Sequence, residues 1–344
     1  MISRFLEALY TKVFINIVVG NSRTVVYIEA CSKDKVLKIT NKVFDTVSMN
    51  SKMYEFIKLN AKESPFYYIS VLDRSSQQGA VPTCSNSEIS KYCDTASIKY
   101  KCYSKSWAYY TSEYDLEATK HEYRSTGVDF IFSPFVLMAN FFKDKINTTL
   151  AMFVLLEENY ISFSVFDNSK LLYAEYLDMQ HKDEEDALMI DSSLDDDEDE
   201  MLLGLDNTGG IDLEEIEIDD DNSIDFNDFG DIEDLDSGDT IDEFSEEHDI
   251  EEIINKEKDS DISSSGFNED YQRFSLIQSS LNTFYRDSKY DSKFVETIYI
   301  ADGVGISSDL KNYLEEEMFL SVYIRKIDIA LALCDIAKAE VNAI

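Results

Sequence analysis

Apolar positions along this chain fall into two periodicities, and their alternation sets out most of the elements. Runs at 14–19, 25–29 and 36–43 are short and rich in β-branched residues, and read as successive strands. Gly20-Asn21-Ser22 stands between the first two and predicts a hairpin. Met53, Phe56, Ile57 and Leu59 then recur at helical spacing, which predicts a helix over 51–62, before 65–72 returns to strand. Between 74 and 123 the pattern turns polar and mixed. Strand-like 98–103 and 107–111 and helix-like 114–123 read there as a small inserted subdomain. A buried strand at 128–132 and a helix at 135–142 close this half.

The second half repeats the opening. Strands are expected at 150–157, 160–166 and 171–176, with Asp167-Asn168-Ser169-Lys170 as the turn between the last two. Two hairpin-rich openings in one chain predict an internal duplication. Further on, Phe274, Ile277, Leu281 and Phe284 mark a helix over 271–285. A strand at 296–301, a turn at Asp302-Gly303-Val304-Gly305, a helix at 308–319, a strand at 322–327 and a helix through 341 complete the pattern. Strands and helices mixed in this way predict an α/β fold.

Charge changes the picture in one place. Residues 182–266 hold 36 Asp/Glu against 3 Lys and no Arg, a net charge of −33 out of −38 for the chain. Like-charge repulsion and sparse apolar content leave little to offset chain entropy, so this insertion is expected to be disordered. Its short apolar runs at 201–205, 211–218 and 250–254 suit either docking motifs or a solvated tether, and its charge would steer it toward a basic protein surface. Asp225-Phe226-Asn227-Asp228-Phe229-Gly230 is superficially like a calcium loop, but Phe229 takes a ligand position and Asp236 stands where a bidentate Glu belongs. A nucleic-acid partner is not expected, because the flanks carry no dense basic stripe.

The flanks therefore hold the function, and their chemistry is sparse. Five cysteines (Cys31, Cys84, Cys93, Cys102, Cys334) without a CxxC read as unpaired thiols of a reducing compartment rather than a disulfide framework or a metal site. His121, His181 and His248 lie in polar surroundings and support no catalytic assignment. Neither a secretory signal nor a spanning helix is expected, since the apolar stretch at 128–142 is interrupted by Asp129, Ser133, Pro134 and Asn140. Ile2, Phe5, Leu6 and Leu9 share one helical face, suited to packing on the body or to a membrane surface.

One resemblance adds to this reading. The run Ile298-Tyr299-Ile300-Ala301-Asp302-Gly303-Val304-Gly305-Ile306, followed by Leu310-Lys311-Asn312-Tyr313-Leu314-Glu315-Glu316, resembles the adenosine motif of actin-like ATPase folds, and in particular the PilM family of type IV pilus assembly. The helix carrying Ser279-Ser280-Leu281-Asn282-Thr283-Phe284-Tyr285 and the hairpin carrying Phe166-Asp167-Asn168-Ser169-Lys170-Leu171-Leu172-Tyr173 resemble further parts of that family. The resemblance implies a bilobed actin-like (RNase H-like) fold. Lobe 1 would span 1–146 with its subdomain at about 74–126, and lobe 2 would comprise 147–181 and 267–344, interrupted by the acidic insertion.

It also implies a nucleotide cleft between the lobes, floored by Gly20, Asn21, Ser22, Gly303 and Gly305. Phosphate hairpins of this fold read Asp-x-Gly, where the carboxylate organises Mg²⁺ and glycine admits backbone N–H groups to the phosphate. This chain has Val18-Val19-Gly20 in the first hairpin, and Leu155 and Glu157 in place of Asp and Gly in the second. Neither hydrolysis nor tight ATP binding is therefore expected, and no cofactor; an active actin-like ATPase is the alternative.

In the resembling family the working surface is a groove that holds the cytoplasmic N-terminal tail of a PilN-type inner-membrane protein. The resemblance thus implies a cytoplasmic adaptor with such a partner, in a type IV pilus or DNA-uptake apparatus or in a flagellar motor that recruited pilus-type proteins. Trp107, Tyr109 and Tyr110 would be pocket-formers, or else subdomain core. The cytoplasmic part of a GspL secretion protein has the same shape but should continue into a membrane span, and an acidic chaperone or histone-like-protein buffer would place function in the insertion alone.

Overall fold

A computed structural model describes residues 10–33, 35–147, 149–179 and 269–343. The acidic insertion, His181, His248 and the amphipathic stretch at 2–9, with the expectations attached to them, lie outside the described residues.

Strand β1 (Lys12–Val19) is apolar on both faces and becomes the centre of a sheet. It pairs antiparallel with β2 (Thr24–Ser32) across the Gly20-Asn21-Ser22 turn, and β2 pairs antiparallel with β3 (Lys35–Phe44). On its other side β1 runs parallel to β4 (Phe66–Leu72), reached through helix α1 (Ser51–Ala61), and β4 runs parallel to β8 (Phe130–Phe132). The order is β3-β2-β1-β4-β8. Asn50 caps α1 by accepting the Met53 N–H at 2.9 Å.

The second half folds by the same rule. β9 (Leu150–Leu156), β10 (Tyr160–Asp167) and β11 (Lys170–Asp178) form an antiparallel meander. Helix α6, described over 269–286, then leads to β12 (Thr297–Asp302), parallel to β9, and α7 (Ser308–Glu316) leads to β13 (Ser321–Lys326), parallel to β12. The order β11-β10-β9-β12-β13 repeats the first sheet strand for strand, with the same directions. Two such sheets in tandem make the fold actin-like and confirm the duplication.

The lobes are joined by exchange of helices. Helix α4 (Pro134–Phe141) follows the first sheet but packs on β9 and β10, while α8 (Ile329–Ala343) follows the second sheet and packs on β1, β2 and β4. One apolar cluster therefore runs from Phe14 through Leu137, Phe142 and Leu333 to Phe153. Short α5 (Lys143–Ile146) adds an ion pair across the same junction, Asp144 to Arg325 of β13 at 3.0 Å.

The interval 74–126 contains a third sheet, β5-β7-β6, of Gln78–Val81, Trp107–Ser112 and Ile98–Tyr103. Short α2 (Asn86–Ile89) and α3 (Glu113–Glu122) flank it. β5 and α2 are absent from the sequence reading, because four residues are too few to reveal a period. The same sheet overturns the expectation of unpaired thiols. Cys84 and Cys102 form a disulfide with Cα atoms 5.4 Å apart, because Val81 and Cys102 both lie opposite Ala108 of the middle strand. Sequence spacing does not register this proximity, and the cysteine count carries no argument about compartment. Cys31, Cys93 and Cys334 are free, and no metal-binding cluster occurs among the described residues.

Candidate functional site

Three chain reversals meet where the lobes face one another. The β1–β2 and β9–β10 turns have the same hydrogen bond, Gly20 N–H to Arg23 carbonyl at 2.8 Å and Glu157 N–H to Tyr160 carbonyl at 3.0 Å. Glu157 therefore holds in the second repeat the place that Gly20 holds in the first. The third reversal, after β12, carries Gly303 and Gly305. A Cβ on Gly303 would lie 2.1 Å from Glu157 Oε1 and 2.8 Å from the Leu156 carbonyl oxygen, so only glycine fits beneath that carboxylate. Gly305 has φ +83°, a conformation that suits glycine.

Carboxylates of the protein itself engage the donors in this cleft. Asp302 is buried, and its Oδ1 accepts from the backbone N–H groups of Val304 (3.1 Å), Gly305 (2.7 Å) and Ile306 (3.3 Å). Such a run of converging N–H groups is the kind that elsewhere binds an anion. Glu158 accepts the Asn21 N–H at 3.4 Å and lies 3.7 Å from the Arg23 guanidinium, so lobe 2 places a negative charge on the first-lobe hairpin. Ser22 sits exposed at the hairpin tip.

Glu157 is poorly solvated between these groups. Burial, then the neighbouring charges of Glu158 and Asp302, push its carboxyl up to about 7 from an ordinary value of 4.5. Well below pH 4.5 the group is neutral in both folded and unfolded chains. As pH rises to about 7 the unfolded chain ionises first, and folding loses on the order of 2–3 kcal/mol. Glu157→Gln should therefore stabilise the protein by about that amount at pH 8 and leave it nearly unchanged at pH 4. Urea denaturation at the two pH values checks this, and equal gains at both would show that charge is not the cause.

Beside this cluster lies a cavity of about 490 Å³ lined by Asn21, Glu158, Arg273, Gly305 and Ser307 among others. Its wall is a buried polar network in which Arg273 pairs with Asp270 at 2.7 Å and with Glu269 at 3.1 Å. Asp270 also accepts the Ser307 N–H at 3.0 Å, while Ser307 caps α7 through the Asp309 N–H. A second cavity of about 280 Å³ joins Gly20, Arg23, Glu157 and Gly303 to Asp328.

The fold thus brings Gly20, Asn21, Gly303 and Gly305 to one place. Sequence reasoning missed Arg23, Glu158, Asp270, Arg273 and Ser307. Only Ser307 carried a signal, as a serine two residues before an aspartate at a helix start. The three aromatics lie elsewhere and part company. Trp107 is 2% exposed and packs on Tyr103, Tyr109 and Phe166, so of its two readings, pocket-former or subdomain core, its surroundings are those of core. Tyr109 and Tyr110 are half-buried, and burial pushes both hydroxyls up to about 12.

Residues 152–342, more than half the chain, match the model of a domain of unknown function (DUF8341), and residues 10–139 match that of another (DUF8569). No curated protein matches. A Bacteroides thetaiotaomicron protein with actin-like ATPase fold and unknown function is 10% identical, covers 97% of this chain and 99% of its own, and gives a TM-score of 0.48. A PilM–PilN type IV pilus biogenesis complex gives 10% identity, 92% and 89% coverage and a TM-score of 0.46. The ethanolamine utilization protein EutJ from Carboxydothermus hydrogenoformans gives 7%, 94% and 86%, and 0.37. Among the described residues no helix is long and apolar enough to cross a membrane.

Proposed function

We propose that this chain, which belongs to the DUF8341 family, is a non-catalytic actin-like scaffold whose cleft is closed on its own carboxylates. The observation that carries this reading is the engagement of the cleft's donors by Asp302, on three backbone N–H groups, and by Glu158, on Asn21 and Arg23, with the Glu157 carboxylate lying over Gly303. A triphosphate entering there would displace three carboxylates or face them. Two unit charges 4 Å apart at a partly solvated site interact by about 4 kcal/mol, and Val18 offers no carboxylate to organise a metal.

A chain with such a cleft works through protein contact. The resemblance of 298–316 to PilM supports a PilN-like inner-membrane protein as partner, its extended N-terminal tail held where lobe 1 meets the third sheet. On this reading the chain works in the cytoplasm at the membrane face of a pilus-type machine, or of a flagellar motor built with such proteins. A second reading, nucleotide binding without turnover, is favoured by the cavity of about 490 Å³ beside Gly305. Equilibrium dialysis with labelled ATP and Mg²⁺ separates the two. No retention at micromolar nucleotide is expected; micromolar affinity or any turnover overturns the scaffold reading. Affinity capture from native cells should retain a membrane protein with a short cytoplasmic tail.

A further inference from the structure

The duplicated sheets differ at one edge. In lobe 2 the outer meander strand, β11, has β5 of the third sheet lying against it. Its counterpart in lobe 1, β3, ends its sheet among the described residues and is exposed along nearly its whole length. Its side chains are sorted by face. Val36, Ile39 and Val43 lie opposite Cys31, Glu29 and Val25 of β2, on the side covered further in by α8, and are 39%, 59% and 50% exposed. Lys38 and Lys42 lie opposite Ala30 and Val26 on the other side. A bulge at Ala30/Cys31 twists the start of the strand and leaves 38–44 regular.

Lysines and a bulge are common protections of an open edge, but protection alone does not leave three β-branched residues facing water. Lys38 reaches Glu63 at 2.6 Å across exposed surface, a contact of little net value that an incoming carboxylate can replace.

We propose that β3 is a docking edge for an extended segment of a partner protein that alternates acidic with apolar residues. The segment would add as a sixth strand, its main chain pairing with β3. The period of two would then set its carboxylates beside Lys38 and Lys42 and its apolar side chains beside Ile39 and Val43. A second copy of this chain fits less well, because β3 against β3 can bring lysine rows together on one face. This surface is separate from the cleft, and the proposal stands whether or not the scaffold reading does.

The test uses the full chain and a fluorescein-labelled peptide of about nine residues alternating glutamate with valine, followed by anisotropy. The peptide should bind, weaken at 0.5 M salt, and weaken by about tenfold or more when Lys38→Glu and Lys42→Glu are combined. N-methylation of alternate peptide amides should abolish binding, because strand pairing needs those donors. Circular dichroism establishes that the exposed substitutions leave the fold intact. Absence of binding, equal binding of a lysine–valine peptide, or indifference to N-methylation would each overturn the proposal. So would a dimer in sedimentation that Ile39→Lys abolishes, since the occupant would then be a second copy.

Discussion

Replacing Lys338 by Met should lower unfolding free energy at neutral pH by about 3–5 kcal/mol, the usual cost of removing one partner from a buried ion pair. Lys338 is on α8 and reaches Glu29 of β2 at 2.6 Å, where the Glu29 side chain is 3% exposed. Tyr27 donates to the same carboxylate at 2.7 Å. Burial alone would push the Glu29 carboxyl up, but the bonds from Lys338 and Tyr27 more than offset it and hold the group below the ordinary carboxylate value. The stability the pair contributes is thus present above the ordinary carboxylate range and lost as pH falls through the Glu29 value. Chemical denaturation should show the wild type losing its advantage in acid, and Glu29→Gln combined with Lys338→Met recovering most of the loss. A cost below about 1 kcal/mol, unchanged by pH, would mean that the pair is solvated. This bond fastens α8 to the first-lobe sheet on which it packs.

Trp107→Ala should cost about 3–5 kcal/mol, as for other buried large-to-small substitutions. Its ring lies 4.8 Å from Tyr103 and 6.0 Å from Phe166 of β10, so it anchors the third sheet to lobe 2. Circular dichroism in urea reads the loss. Trp107 is the protein's one tryptophan, so its emission in the wild type reports on this contact alone. A partner-facing ring would behave oppositely: the substitution would leave stability unchanged, and the emission would be that of an indole in water.

Much of the fold is legible in the sequence. The runs at 14–19 and 150–157 are apolar at successive positions, as central strands buried on both faces must be, and the turns at Gly20 and Asp167 gave the hairpins. The helix at 51–62 was visible because Met53 and Ile57 fall on one face, and both are fully buried. The site was half legible. Gly20, Asn21, Gly303 and Gly305 follow from the resemblance to an actin-like cleft; close approach restricts residue type at Gly303 and a positive φ at Gly305. Glu158, Arg273 and Ser307 act through contacts distant in sequence, and charged residues on a loop look alike whether solvated or engaged. Trp107 was ambiguous because core and binding pocket favour the same aromatic side chains.

Period and turn chemistry, written in neighbouring residues, determined the two meanders, their repetition and the acidic character of 182–266. Only the tertiary structure decided that α4 and α8 exchange lobes, that Cys84 meets Cys102, that carboxylates engage the cleft's donors and that, among the described residues, β3 has a strand on one side only. Each of these depends on which surfaces remain to be buried once the elements have formed, and that is set by packing across the whole chain.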